Sequence, residues 1–179
     1  MEEYIMPIEF DIKLKARDIF RFNMHQTYTG FNGLSSILFS VLLFGLAGYT
    51  FYTTGEEALS KILIYIFAGI LLLVYMPITL WLRSRQSLKA SSVLSNSLHY
   101  HVDKDGFTVT QGESSGVLAW KQIYKMLSTK HLVLVYSNRI NAYIIPRSQL
   151  GEQYVALTKL AVSKLPKFRV KMKVTIKDV

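Results

Sequence analysis

The pentapeptide Gly112-Glu113-Ser114-Ser115-Gly116 has the G-x-S-x-G spacing of a hydrolase nucleophile elbow, with Ser114 in the nucleophile position. That chemistry needs a strand-to-helix turn in a parallel sheet, with an acid and then a histidine further along the chain. Here the residues after the pentapeptide read as a strand. The later acids are Glu152 and Asp178, and no histidine follows His131. The match therefore carries no catalytic assignment.

A second group is His99, His101 and Asp103, which alternate along one strand face and could offer nitrogen and oxygen ligands to a divalent metal. Alternating polar residues on a strand more commonly form a solvated face, and a solvated face is expected here. Asp103-Lys104-Asp105-Gly106 resembles the start of a calcium loop, but the third acidic position and the distal glutamate are missing. It reads as a hairpin turn. The chain has no cysteine, which removes thiolate metal sites, a cysteine nucleophile and a disulfide framework. No Walker loop, dinucleotide fingerprint or DNA-reading helix is present. The sequence thus names no catalytic residue, no metal ligand and no cofactor, and a non-enzymatic role is expected.

The elements that would position any site are dominated by two apolar stretches. Apart from His25, no charge stands between Met24 and Gly55, and none between Ile62 and Leu82; Glu56, Glu57 and Lys61 are the charges separating them. About 20 apolar helical residues cross a hydrocarbon core of roughly 30 Å. Spans are expected at 34–52 and 62–82, with apolar residues all round and hence no amphipathic period. Pro77 should bend the second near its inner end.

Lys13, Lys15, Arg17 and Arg21 precede the first span, and Arg83, Arg85 and Lys89 follow the second. The positive-inside rule then places both termini in the cytoplasm of a multi-pass cell-membrane protein, with Arg83, Arg85 and Lys89 as a juxtamembrane anchor. The acidic start, Glu2 and Glu3, and the late first apolar run argue against a signal peptide.

Outside the spans the chain divides into 1–33, a strand and an interfacial helix; 83–97, a serine-rich connector; and 98–179, a cytoplasmic domain. Ile8, Phe10, Ile12 and Leu14 alternate with polar residues as in a half-buried strand. Residues 16–28 read as an interfacial helix, with a turn at Gly30 and Gly33. From Leu98 the period of two returns. Strands are expected at 98–102, 107–111, 117–120, 123–127, 132–136 and 142–145, with a loop over Gly112 to Gly116. Ser148 is placed as the cap of an amphipathic helix that carries Leu150, Tyr154, Leu157, Leu160, Ala161 and Leu165 and ends at Pro166. Val170, Met172, Val174 and Ile176 alternate with polar residues as a last strand, expected to pair with 8–14. The fold class is α+β: a transmembrane helical hairpin plus a small cytoplasmic antiparallel β domain, a partial barrel capped by one amphipathic helix.

Two spans, a strand meander, Trp120 with Ile123, the run Ile144-Ile145-Pro146 and one amphipathic helix together resemble the YcxB-like family. The resemblance implies a bacterial membrane protein whose cytoplasmic C-terminal domain is similar to the bacterial pleckstrin-homology (PH) fold. Trp120 and Pro146 read as packing and turn residues, so no functional site transfers with them. The basic tail from Lys167 to Lys177 looks longer than the resemblance implies.

Charge supplies the functional expectation. Up to Phe22 there are four basic and five acidic residues; from Arg83 onward there are sixteen basic and five acidic. A basic domain beside the inner leaflet is attracted to anionic lipid by about 1 kcal/mol per basic residue near the surface. Lys121, Lys125, Lys167, Arg169, Lys171 and Lys173 are the candidate binding residues for lipid or a partner protein. Nucleic acid ranks below lipid, since the tethered domain has a nearer polyanion. The alternative is an accessory or immunity-type subunit acting through its hairpin, where Ser40, Gly45, Ala47 and Gly48 would permit close helix approach to a membrane protein or a second copy.

Overall fold

The computed structural model describes residues 7–91, 94 and 96–173. It is an α+β chain of long N-terminal helices, two four-stranded sheets and a C-terminal helix. Two compact units emerge: one from Phe20–Gln86, the other from the two ends of the chain, up to Ile19 and from Ser87 on.

In the first unit, helix α1 (Ala16–Thr29, entering from the other unit) is followed by α2 (Phe31–Thr54), a 3-10 turn (Gly55–Ala58) and α3 (Leu59–Ala90, whose last four residues belong to the other unit). From Gly33 to Ala90 these form a 58-residue helical run, apolar and long enough to cross a membrane. The run folds back on itself. Ser36 Oγ donates to the Leu72 carbonyl at 3.0 Å, whereas a straight helix would separate residues 36 apart by about 54 Å. The reversal sits at Gly55, whose φ of 62° is open to glycine without strain. Ala47, Ala58 and Ile62 pack together beside it. Lower in the hairpin the Phe44 ring lies over Gly69, where an added Cβ would meet it at 2.7 Å. Most other large side chains of α2 and α3 face outward, Tyr52 at 88% exposure among them.

Both helices are longer than the sequence suggests. Gly33 lies inside α2, against the Tyr28 main chain, rather than in a turn. The expected connector from Ser84 is helical to Ala90, so Arg83, Arg85 and Lys89 stand on α3. Arg, Gln, Leu, Lys and Ala are good helix formers, and they extend the helix despite the interspersed serines. Ser84 itself is buried, donating to the Leu80 carbonyl and accepting from Asn23 of α1. Pro77 lies within α3, which continues through it.

In the second unit, β1 (Ile8–Ile12), β2 (Leu98–Val102), β3 (Gly106–Gln111) and β4 (Ser114–Ala119) form one antiparallel sheet in that order. The expected partner of the first strand is overturned. Residues 8–12 pair antiparallel with 98–102, because this register sets Ile8, Phe10 and Ile12 beside Val102, Tyr100 and Leu98 on one buried face. Phe10 and Tyr100 stack at 5.2 Å. Ser114–Gly116, expected as loop, are strand; the turn is two residues, with Gly112 at φ 57°.

The second sheet has the order β7-β6-β5-β8, from β5 (Lys125–Ser128), β6 (Leu132–Tyr136), β7 (Ala142–Pro146) and β8 (Val170–Lys171). All five residues of β6 are buried. The tail strand, expected along 8–14, instead runs parallel to β5, so the domain is not wholly antiparallel. Val174 and Ile176 lie outside the described residues. The C-terminal helix is two pieces, α4 (Arg147–Leu150) and α5 (Gln153–Lys164), divided at Gly151 with φ 53°. Ser148 is thus inside α4, and the N-cap positions of the two pieces are held by Pro146 and Glu152. Helix α5 buries Tyr154, Leu157, Leu160 and Ala161 as the sequence suggests.

Candidate functional site

Ser114 stands at the start of edge strand β4, opposite Gln111. A strand follows it, not the helix of a nucleophile elbow. The histidines are engaged across the sheet: His99 Nδ1 meets Asp11 Oδ1 at 2.9 Å and His101 Nδ1 meets Glu9 Oε1 at 2.8 Å. His101 Nε2 lies 3.5 Å from Asp103 Oδ2. Sequence reasoning missed Glu9 and Asp11 here, although their alternation along β1 already put them on the polar face. No group of three or more potential ligands is placed to hold a metal ion among the described residues.

Asp103 has a structural task. Its Oδ1 accepts from the N–H groups of Asp105 at 2.8 Å and Gly106 at 3.1 Å. Partial burial pushes its carboxyl upward, but those two N–H groups and His101 outweigh it and hold it below the usual carboxylate range. Its carbonyl accepts from Trp120 Nε1 at 2.9 Å, and the Trp120 ring packs edge-on against Phe107 at 5.2 Å. Trp120 therefore locks the 103–106 turn to the 3-10 turn Trp120–Gln122.

The basic candidates are brought together in part. After Pro166 the 3-10 turn Lys167–Arg169 leads into β8, and Val170 and Lys171 pair with Met126 and Leu127. Arg169 Nη1 donates to the Ile123 carbonyl at 3.3 Å, between Lys121 and Lys125 in the chain. Lys173 N–H donates to Ser128 Oγ at 3.2 Å, and the buried Tyr154 hydroxyl donates to the Lys173 carbonyl at 2.7 Å. The tail segment 167–173 is thereby fastened along β5. Two of the cations are partly engaged: Arg169 with that carbonyl, and Lys125, whose Nζ lies 4.4 Å from the centre of the Tyr136 ring. Lys121, Lys167, Lys171 and Lys173 are exposed.

The charge is more polarised than the chain totals convey. From Ser114 to Lys173 there are eleven lysines and arginines against one acid, Glu152. These residues make β4 to β8 and the C-terminal helices. By contrast Glu9, Asp11, Asp103, Asp105 and Glu113 all belong to β1, β2, β3 and their turns. The acid-poor run is legible in the sequence; that it supplies every strand of the second sheet is not.

The small residues of α2 separate into two sets. Ser40 and Ala47 are buried, with Ser40 Oγ donating to the Ser36 carbonyl at 2.9 Å. Gly45 and Gly48 have open space where a Cβ would stand. Arg83, Arg85 and Lys89 run down the end of α3, with the Arg85 guanidinium 5.4 Å from the Trp81 ring centre.

Residues 102–161 match the family described as YcxB-like protein. The match includes Trp120 and Pro146 and ends before the tail segment 167–173. Among curated proteins, none matches the chain.

Proposed function

We propose, from the premise that residues 102–161 are a YcxB-like family domain, that this chain is a non-enzymatic module of the cell membrane. The hairpin of α2 and α3 spans the bilayer twice, and both termini are cytoplasmic. A PH-like basic domain then works at the inner leaflet, binding anionic lipid, a membrane protein partner or both. The exposed apolar faces of α2 and α3 support the anchor, since outward side chains of this size call for a lipid or protein cover. Arg83, Arg85 and Lys89 below the second span support the orientation.

The observation that carries the binding reading is the near absence of acid across the second sheet and its helices, with Lys121, Lys167, Lys171 and Lys173 exposed and the tail fastened beside β5. Reversing Lys167, Lys171 and Lys173 to Glu in the full chain should abolish its dependence on anionic lipid. Unchanged association of the domain with anionic nanodiscs would sink the lipid reading.

The second reading, an accessory or immunity-type subunit, draws on the hairpin. Gly45 and Gly48 leave room for a neighbouring helix, and a wholly apolar groove runs along α3 past Phe67, Leu71 and Tyr75. Cross-linking in the native membrane followed by affinity purification and mass spectrometry separates the two. A near-stoichiometric membrane protein favours the subunit; recovery of the chain with anionic lipid alone favours the lipid-facing module.

A further inference from the structure

Among the described residues of the β domain, Phe168 is the most exposed large apolar side chain, at 75%. It does not sit on a loose end. Leu165 before it is buried, and Val170 after it is paired with Met126. Between them Arg169 N–H closes the 3-10 turn on the Pro166 carbonyl at 2.8 Å. The same turn sends the Arg169 guanidinium back to Ile123 and leaves the Phe168 ring outward, with that guanidinium 5.7 Å from its centre. Fixing an aromatic ring in water on a fastened stub gains nothing for folding, because its apolar surface stays wet. Lys167 and Lys171 flank it, Tyr124 is exposed at the neighbouring end of β5, and no acid occurs between Gln153 and Lys173.

The geometry points to Phe168 as a wedge that enters the headgroup region of an anionic bilayer while Lys167, Lys171 and Lys173 meet the lipid phosphates. An aromatic ring ringed by cations matches a surface that is negative outside and apolar a few ångströms below. The acidic residues around β1 to β3 are repelled by the same surface, so the charge separation between the two sheets turns the 167–173 edge toward lipid. This inference rests on the lipid-facing reading and adds to it a residue, a depth and an orientation.

The chain is free of cysteine, so one introduced cysteine gives one labelled site. The full chain is reconstituted in nanodiscs of phosphatidylcholine, with or without phosphatidylglycerol. Nitroxides are placed singly at Phe168→Cys, Lys164→Cys and Val117→Cys, and collision with oxygen is compared with collision with a water-soluble nickel chelate. The label at 168 should shift toward oxygen in the anionic discs, while that at 117, on β4 of the other sheet, stays in water. With Phe168→Asp added, the anionic-lipid response at 164 should be lost.

A label at 168 that remains aqueous, together with an unchanged response at 164 in the Phe168→Asp chain, overturns the wedge and leaves the lipid reading standing. No response to anionic lipid at 164 or 168 overturns both.

Discussion

The side-chain amide of Gln149 closes two hydrogen bonds on the main chain of Lys13: Oε1 accepts from the Lys13 N–H at 2.9 Å and Nε2 donates to the Lys13 carbonyl at 3.0 Å. Four residues later, Gln153 Nε2 donates to the Glu9 carbonyl at 2.6 Å. Two glutamines thus occupy the free edge of β1 as a neighbouring strand would. The N-terminal strand is held on one side by β2 and on the other by the C-terminal helices, although the whole apolar hairpin lies between them in sequence.

Replacing both Gln149 and Gln153 by Ala should loosen β1. Each lost hydrogen bond removes about 1 kcal/mol. Amide hydrogen exchange at Glu9 to Lys13 should speed up markedly while exchange in β6 is unchanged. Equal protection of β1 in the variant would show that β2 alone holds it.

Gly106→Ala should destabilise the domain by about 1–3 kcal/mol, because the added Cβ would lie 2.3 Å from the Leu118 carbonyl oxygen of the paired strand. Gly116→Ala on that same strand meets nothing within 4 Å. Thermal unfolding of the two variants should differ accordingly, with a lowered Tm for the first alone.

Gly69→Leu should disrupt the hairpin by driving a side chain into the Phe44 ring, whereas Gly45→Leu should leave it intact. Disulfide trapping between cysteines at Ser36 and Leu72 reports the packing directly. Efficient trapping with Leu at 69 would contradict the contact. If Gly45→Leu, still trapped, lost a co-purifying membrane protein, the subunit reading would gain.

Asp103 gives a pH dependence of defined sign. Its folded-state pKa lies below the ordinary value, so its stabilisation is present above the unfolded carboxylate range and is lost as pH falls through the depressed value. Asp103→Asn retains an acceptor for Asp105 and Gly106 without the charge. Acid should therefore destabilise the native chain more steeply than the variant; parallel acid curves would remove Asp103 from the account.

The sequence reveals those features that depend on neighbours along the chain. Alternation in Ile8 to Ile12, the Asp103–Gly106 turn, the buried run Leu132–Tyr136 and the apolar face of α5 all follow from local periodicity and turn chemistry. What periodicity does not encode is partner choice. Val170 and Lys171 have the pattern of a strand but no local sign that β5, lying parallel, is their neighbour. Helix extension to Ala90 and the break at Gly151 likewise turn on competing local signals, serines against helix formers and one glycine within a periodic run. The basic edge is intermediate. Its residues were legible as a charge excess, while their meeting of β5 with the tail required the sheet order.

The central claim is that the β domain associates with anionic lipid through its second sheet and tail. Energy transfer from a donor on Lys130→Cys to acceptor-labelled lipid, measured on the full chain in nanodiscs as phosphatidylglycerol is raised, tests it most directly. The account predicts transfer that increases with anionic lipid, falls as salt is added and is lost on reversing Lys167, Lys171 and Lys173 to Glu. Transfer that is the same in neutral and anionic discs would contradict it.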